Sequence, residues 1–170
     1  VSESINRNLP VELALLPFIE SQFDPYAQSS TGASGIWQFI LSTAREQKLK
    51  KNWWYDGRRD IVASTGAAYD YLTKLHSKYD DWLLAIAAYN AGPNRISKEI
   101  KKNLAKGLPT DFWSLNLPKE TKAYVPKLLA LVEVIKNPSK FSVDIPFLPN
   151  RPYFQLVTLP SQVDLMQVAN

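Results

Sequence analysis

The chain has 170 residues, no cysteine, a single histidine and a formal charge of +4. Those counts exclude a disulfide framework, thiolate chemistry, Ser-His-Asp and Cys-His catalysis and multi-histidine metal sites. The length predicts one domain, or one domain and a fragment, with enough apolar residues to bury a real core.

Residues 1–8 read as a polar lead-in, and because the chain opens at Val1 rather than Met an upstream segment, including any signal peptide, is expected. Leu9 to Pro25 is mostly apolar and predicts a helix with Leu13, Leu16, Ile19 and Phe23 on one buried face. Pro10 suits its first turn, Pro17 bends or splits it, and Pro25 disfavours helix at Asp24. Glu20 then falls in the last turn. Burial and the negative end of the helix dipole would both raise its pKa, as a general acid requires. The ordinary alternative is a solvated glutamate on an amphipathic helix.

Tyr26 to Gly35 is a small, polar loop, and Ile36 to Leu41 is an apolar run interrupted by Gln38. A buried amide must find partners, so Gln38 is either pinned by backbone or aimed at a ligand. Ser42 or Thr43 can cap the next helix, to about Leu49, and Thr43-Ala-Arg-Glu46 fits a capping box. Lys51 to Arg59 is an aromatic loop. Asp60 caps a helix from Ile61 to about Tyr79, with Ile61, Ala68, Tyr71, Leu72 and Leu75 facing inward and His76 on a solvated face. Trp82 to Ala91 is apolar all round, which predicts a helix buried on every side and ended by Gly92-Pro93.

A basic helix follows, from Pro93 to about Lys106, then one turn within Thr110 to Leu115 and a last long helix from Pro118 to Lys136. The lysines read as solvated helix faces. They are not interleaved with aromatics on a nucleic-acid module, so no nucleic-acid partner is expected. No apolar run is long enough to span a bilayer. Beyond Pro138 prolines cluster, Tyr153 to Leu159 has the residues of a strand, and Ser161 could cap a short helix. The fold expected is all-α over residues 1–140, with 141–170 a short irregular or β extension that links to a following element.

Four features then meet: Glu20-Ser21, Gly35-Ile-Trp-Gln38, Ala88-Tyr89-Asn90, and Glu120-Thr-Lys-Ala-Tyr124-Val125. Singly, Tyr89 could be core with a satisfied hydroxyl, Asn90 a helix C-cap, and Glu120 merely favoured by a helix N-terminus. Together and in this order they resemble the lytic transglycosylases of bacterial cell-wall metabolism, most closely the membrane-bound type D group, over about residues 9–137. Ile40 and Leu41 stand where many members have Met-Pro.

The resemblance implies a lysozyme-like helical fold and cleavage of the MurNAc-β-1,4-GlcNAc bond of peptidoglycan with a 1,6-anhydro product. It implies Glu20 as the single acid/base, with Tyr124 near it and Tyr89 and Asn90 lining the cleft. It further implies that Ser29 and Gln38 bind sugar, that Ser21 fixes Glu20 or its loop, and that Ile40 occupies a position that touches substrate. No metal and no cofactor are implied. The expected partner is the peptidoglycan glycan strand. The expected state is a monomer in the bacterial cell envelope, periplasmic and anchored to the outer membrane through other segments of the protein, with the tail leading towards LysM repeats.

Two other functions fit the same residues. One is a lysozyme-like hydrolase, which needs a second carboxylate; Asp24, one turn after Glu20, is a local candidate. The other is a non-catalytic glycan-binding scaffold. Trp37, Trp53, Trp54 and Tyr55 are aromatic candidates for stacking on sugar, although a packing role is expected for Trp53 and Trp54.

Overall fold

A computed structural model describes residues 1–147, together with 149 and 157. The expected strand at 153–159 and the helix capped by Ser161 lie outside the described residues, Val157 aside. Seven α-helices make up the described part: α1 (Ser2–Asn6), α2 (Leu16–Ser21), α3 (Leu41–Glu46), α4 (Ile61–Tyr79), α5 (Trp82–Ala91), α6 (Pro93–Leu104) and α7 (Lys119–Lys136). Short 3-10 turns lie at Val11–Leu15, Phe112–Ser114 and Pro138–Phe141.

Helix α5 is the hub, and it packs against α4, α6 and α7. Its consecutive residues Leu84, Ala85, Ile86, Ala87 and Ala88 are all buried. Such a run has no polar face to give to water, so neighbours must cover every side. The Asp81 carboxylate accepts from the Leu84 N–H and starts the helix. Gly92, at a φ of 86°, turns the chain directly into α6, with Pro93 in the first turn. Asp60 caps α4 as expected, accepting from the Ala63 N–H at 2.9 Å.

The long apolar stretch before Pro25 is divided where Pro17 requires it. A 3-10 turn ends at Leu15, and α2 starts at Leu16 with Pro17 in its first turn. Leu13 and Leu16 are fully buried and Ile19 packs against the core. Phe23 leaves the expected face and is exposed: Gln22 and Phe23 are both left-handed, which ends the helical periodicity after Ser21. On α4, Ile61 is also exposed, because it borders an open groove. His76 is half-buried rather than solvated; its ring stacks on Trp82 at 4.0 Å.

Between α2 and α4 the chain is irregular, and one buried cation organises it. Arg58 donates to Asp56 and also to the carbonyls of Gly32 (2.8 Å) and Phe39 (3.1 Å). The Arg58 guanidinium holds the Asp56 carboxyl down to about 2. Single bridges between Gln28 and Ser34, Ser34 and Phe39, and Lys51 and Asp56 complete the framework.

Several local expectations fail here. The capping box is not formed: α3 begins at Leu41 with Ile40 as its N-cap and no side-chain cap, so Thr43 and Glu46 lie inside the helix. It also ends at Glu46, short of Leu49. Trp53 and Trp54 do not pack; they are 89% and 90% exposed. Trp37 is the aromatic that does, with its Nε1–H donating to Thr65 at 2.9 Å and its ring against Tyr69, and so it has no face for a sugar.

Gly35 sits against this plug at a φ of +80°, where a Cβ would lie 1.8 Å from the Arg58 carbonyl oxygen. Gly35→Ala should therefore lower stability by about 2–4 kcal/mol in urea unfolding. The same change at Gly32, where nothing lies within 4 Å of the added atom, should be milder.

Candidate active site

Glu20 projects from the end of α2 into a cleft of about 610 Å³. The segment after α2 contributes Ser29, Thr31, Ala33, Gln38 and Ile40; the α5–α6 junction contributes Tyr89 to Asn94; α7 contributes Glu120. Six of the residues singled out from sequence thus border one space: Glu20, Ser29, Gln38, Ile40, Tyr89 and Asn90. Tyr124 and Ser21 lie behind it.

Tyr124 is buried and donates its hydroxyl to Glu20 Oε1 at 2.5 Å, joining α7 to α2. The Glu20 carboxyl is pushed up to about 7. Burial is the main cause, the Tyr124 hydrogen bond opposes it, and the negative charge of Glu120 adds to it. A carboxyl with such a pKa is protonated and ionised in comparable amounts near neutrality, so it can give a proton and take one back.

The neighbours of Glu20 are held by backbone and by each other. The Ser21 hydroxyl reaches both the Pro17 carbonyl (3.1 Å) and the Ile36 carbonyl (3.0 Å), which ties α2 to the turn carrying Gln38. Gln38, itself left-handed, donates its amide to the Gly35 (2.8 Å) and Ala27 (3.2 Å) carbonyls. Its two readings therefore coincide: the side chain is pinned, and it still borders the cleft. Ser29 accepts from the Ala33 N–H at 3.0 Å and shares a hydrogen bond with Thr31. The Tyr89 hydroxyl is spent on the Trp37 carbonyl at 2.8 Å, which fixes the ring between Phe39 and Tyr71.

Asn90 is not the helix cap, since α5 runs on to Ala91. Its side-chain oxygen accepts from the buried Thr121 hydroxyl at 2.8 Å, and its amide points to Glu120 at 3.4 Å. Asp24 is exposed, caps its own turn by accepting from the Tyr26 N–H, and does not border the cleft.

The sequence reading missed Thr31, Glu46 and Tyr71 as cleft residues, and it placed Glu120 only within a motif. Tyr71 was expected on the inner face of α4. Nothing local shows that this face meets Tyr89, with burial raising the Tyr71 hydroxyl to about 12.

The sequence matches the family described as the transglycosylase SLT domain over residues 2–110. The chain belongs to the transglycosylase SLT domain family. It is 50% identical to membrane-bound lytic murein transglycosylase D of Escherichia coli K12 over 165 residues, which are 96% of this chain and 36% of that protein. It is 34% identical to peptidoglycan transglycosylase gp16 of phage T7 over 128 residues, covering 74% of this chain and 9% of the phage protein. The chain thus spans about a third of the length of the first of these relatives. An inactive mutant of lytic transglycosylase Slt from Pseudomonas aeruginosa shares the fold, with a TM-score of 0.56 and 26% identity over 84% of this chain and 24% of that one. The mainly helical, lysozyme-like architecture expected from sequence is the one this SLT domain adopts.

Two consequences of the site geometry are measurable. Glu20 is raised from its ordinary 4.5 to about 7, so the unfolded chain ionises it first. Its contribution to stability is whole below pH 4.5 and is lost as the pH rises to about 7. Between pH 4 and pH 8, Glu20→Gln should therefore gain about 3 kcal/mol relative to the parent chain, read by urea unfolding at each pH. In an NMR titration of the side-chain carboxyls, Tyr124→Phe should raise the Glu20 pKa and Glu120→Gln should lower it, since each removes one of the two opposing influences.

Proposed function

We propose that this chain is the catalytic part of a peptidoglycan lytic transglycosylase that cleaves the MurNAc-β-1,4-GlcNAc bond with formation of 1,6-anhydroMurNAc. The observation that carries the reading is Glu20, a cleft carboxyl poised at about 7 and hydrogen-bonded by Tyr124. The family and the murein transglycosylases among its relatives support it.

In this reading neutral Glu20 protonates the glycosidic oxygen as the bond to C1 breaks. The substrate's 2-acetamido group meets the positive charge developing at C1. The Glu20 carboxylate then takes the proton of the muramic acid C6 hydroxyl as that oxygen bonds to C1. No water is consumed, and Glu20 ends protonated. Tyr124 keeps the carboxylate from becoming too basic and fixes its orientation. Ser21 holds α2 to the Gln38 turn, while Ser29, Gln38, Ile40, Tyr89 and Asn90 line the path of the sugars.

Residues 1–140 form the catalytic domain, and 141–170 lead on to a further element. The site of action is the bacterial cell envelope. Among the described residues no helix is long and apolar enough to cross a membrane, so anchoring would rest with other segments. The chain acts as a monomer. A hydrolase is the second reading, because Glu120 borders the same cleft and offers a second carboxyl.

Mass spectrometry of fragments released from purified peptidoglycan separates these readings. Anhydro-muropeptides from the intact chain, and a loss of at least about a thousandfold in rate for Glu20→Gln, are expected for the transglycosylase. Products heavier by one water would make the protein a hydrolase. No release from either chain, with glycan still bound, would leave a scaffold.

A further inference from the structure

Among the described residues, the largest exposed aromatic feature lies outside the Glu20 cleft. Trp53 and Trp54 turn their indoles almost wholly to solvent, at 89% and 90% exposure, with Tyr26 at 75% and Tyr55 at 39% beside them. They line a groove of about 820 Å³ whose polar groups include Gln28, Asn52, Arg59 and Asp60. Trp53 also borders an adjoining hollow of about 390 Å³.

Leaving two indoles bare forfeits the stabilisation their burial would give, so such a patch marks an interaction site more often than an accident of folding. The loop that carries them is firmly built. Asn52 Oδ1 accepts from the N–H groups of both Trp54 and Tyr55 at 2.8 Å. The Asn52 N–H donates to the Tyr55 carbonyl and the Gly57 N–H to the Lys50 carbonyl, each at 2.8 Å. Lys51 and Asp56 pair across the base, and Asp56 is clamped by buried Arg58. The Tyr55 hydroxyl donates to Asp60 at 2.9 Å. The indoles are therefore presented by a turn that is already ordered, and a ligand need not order it.

The chemistry of the groove favours a sugar. A pyranose ring offers a flat face of C–H groups that packs on an aromatic ring, and an edge of hydroxyl and acetamido groups that needs amide and charged partners. The groove interleaves the two kinds of surface. A bilayer interior would leave Gln28, Arg59 and Asp60 without solvation, which argues against a membrane face. Position points the same way. Gln28 lines the groove and the next residue, Ser29, lines the cleft, so groove and cleft lie on either side of one loop braced by the Gln28–Ser34 bridge. A polymer too long for the cleft meets the groove on crossing this loop.

We propose that the groove walled by Tyr26, Gln28, Trp53, Trp54, Tyr55 and Arg59 is a second carbohydrate site, in which a glycan strand stacks its rings on Trp53 and Trp54 apart from the Glu20 cleft. The proposal rests on the reading of the substrate as a glycan.

It is tested by co-sedimentation with purified peptidoglycan sacculi, using the whole chain in a Glu20→Gln background so that nothing is consumed. Replacing both Trp53 and Trp54 by Ala should weaken binding about tenfold, with an unchanged melting temperature because both side chains are exposed. Replacing both by Phe should restore most of the binding. Equal binding by the Ala variant and its parent would overturn the second site while leaving the proposed function intact. A variant that keeps sacculus binding and loses binding to vesicles of anionic phospholipid would overturn it in favour of a membrane face. A parent chain that neither binds sacculi nor, with Glu20 present, releases muropeptides would overturn the proposed function and this site with it.

Discussion

A carboxyl taken out of water has to be supported, and in this molecule the support comes from 104 residues away. The Glu20–Tyr124 hydrogen bond joins α2 to α7. It can form only if α5 packs against α7 while α2 and the 3-10 turn before it also rest on α7. Burial raises the Glu20 pKa, and the phenol limits the rise. Two helices that pack into the core, α2 and α7, therefore set the acidity of the one carboxyl best placed to exchange protons near neutrality.

The second constraint is electrostatic and lies in the irregular segment. Arg58 is almost completely buried, and its charge is met by Asp56 and by the carbonyls of Gly32 and Phe39. Removing the Asp56 carboxylate would leave an uncompensated cation in the interior. This cluster does for the 27–59 region what helical packing does elsewhere. It fixes the loop that carries Ser29 and Gln38 on one side and the turn that carries Trp53 and Trp54 on the other.

Much of the site's polar inventory is committed to structure. Tyr89 gives its hydroxyl to the Trp37 carbonyl, Gln38 gives its amide to two carbonyls, and Ser21 bridges two backbone segments. Such commitments preorganise a cleft, because groups that are already oriented lose little freedom when a ligand arrives. Asn90 and Glu120, linked across the α5–α7 contact, remain more open to what enters.

The sequence alone determined the helices α4 to α7, since their apolar patterning, the cap at Asp60 and the break at Gly92-Pro93 are local signals. It also marked Pro17 as a bend or a split, which the structure resolves as a split, and it held the order of the four motifs, which is why the family could be expected before any geometry was known. Tertiary structure decided the rest. Phe23 and Ile61 fit a helical face by spacing yet stay exposed, Phe23 because the backbone turns left-handed after Ser21 and Ile61 because it borders an open groove. The capping box at Thr43 lost to an earlier start at Leu41. Trp53 and Trp54 look like core by composition and lie open, while Trp37 is buried. Tyr71, Glu46 and Thr31 joined the cleft from elements whose approach no spacing encodes. Acidity is the clearest case: a residue's type gives its ordinary pKa, but desolvation and a phenol on a distant helix set the one it has.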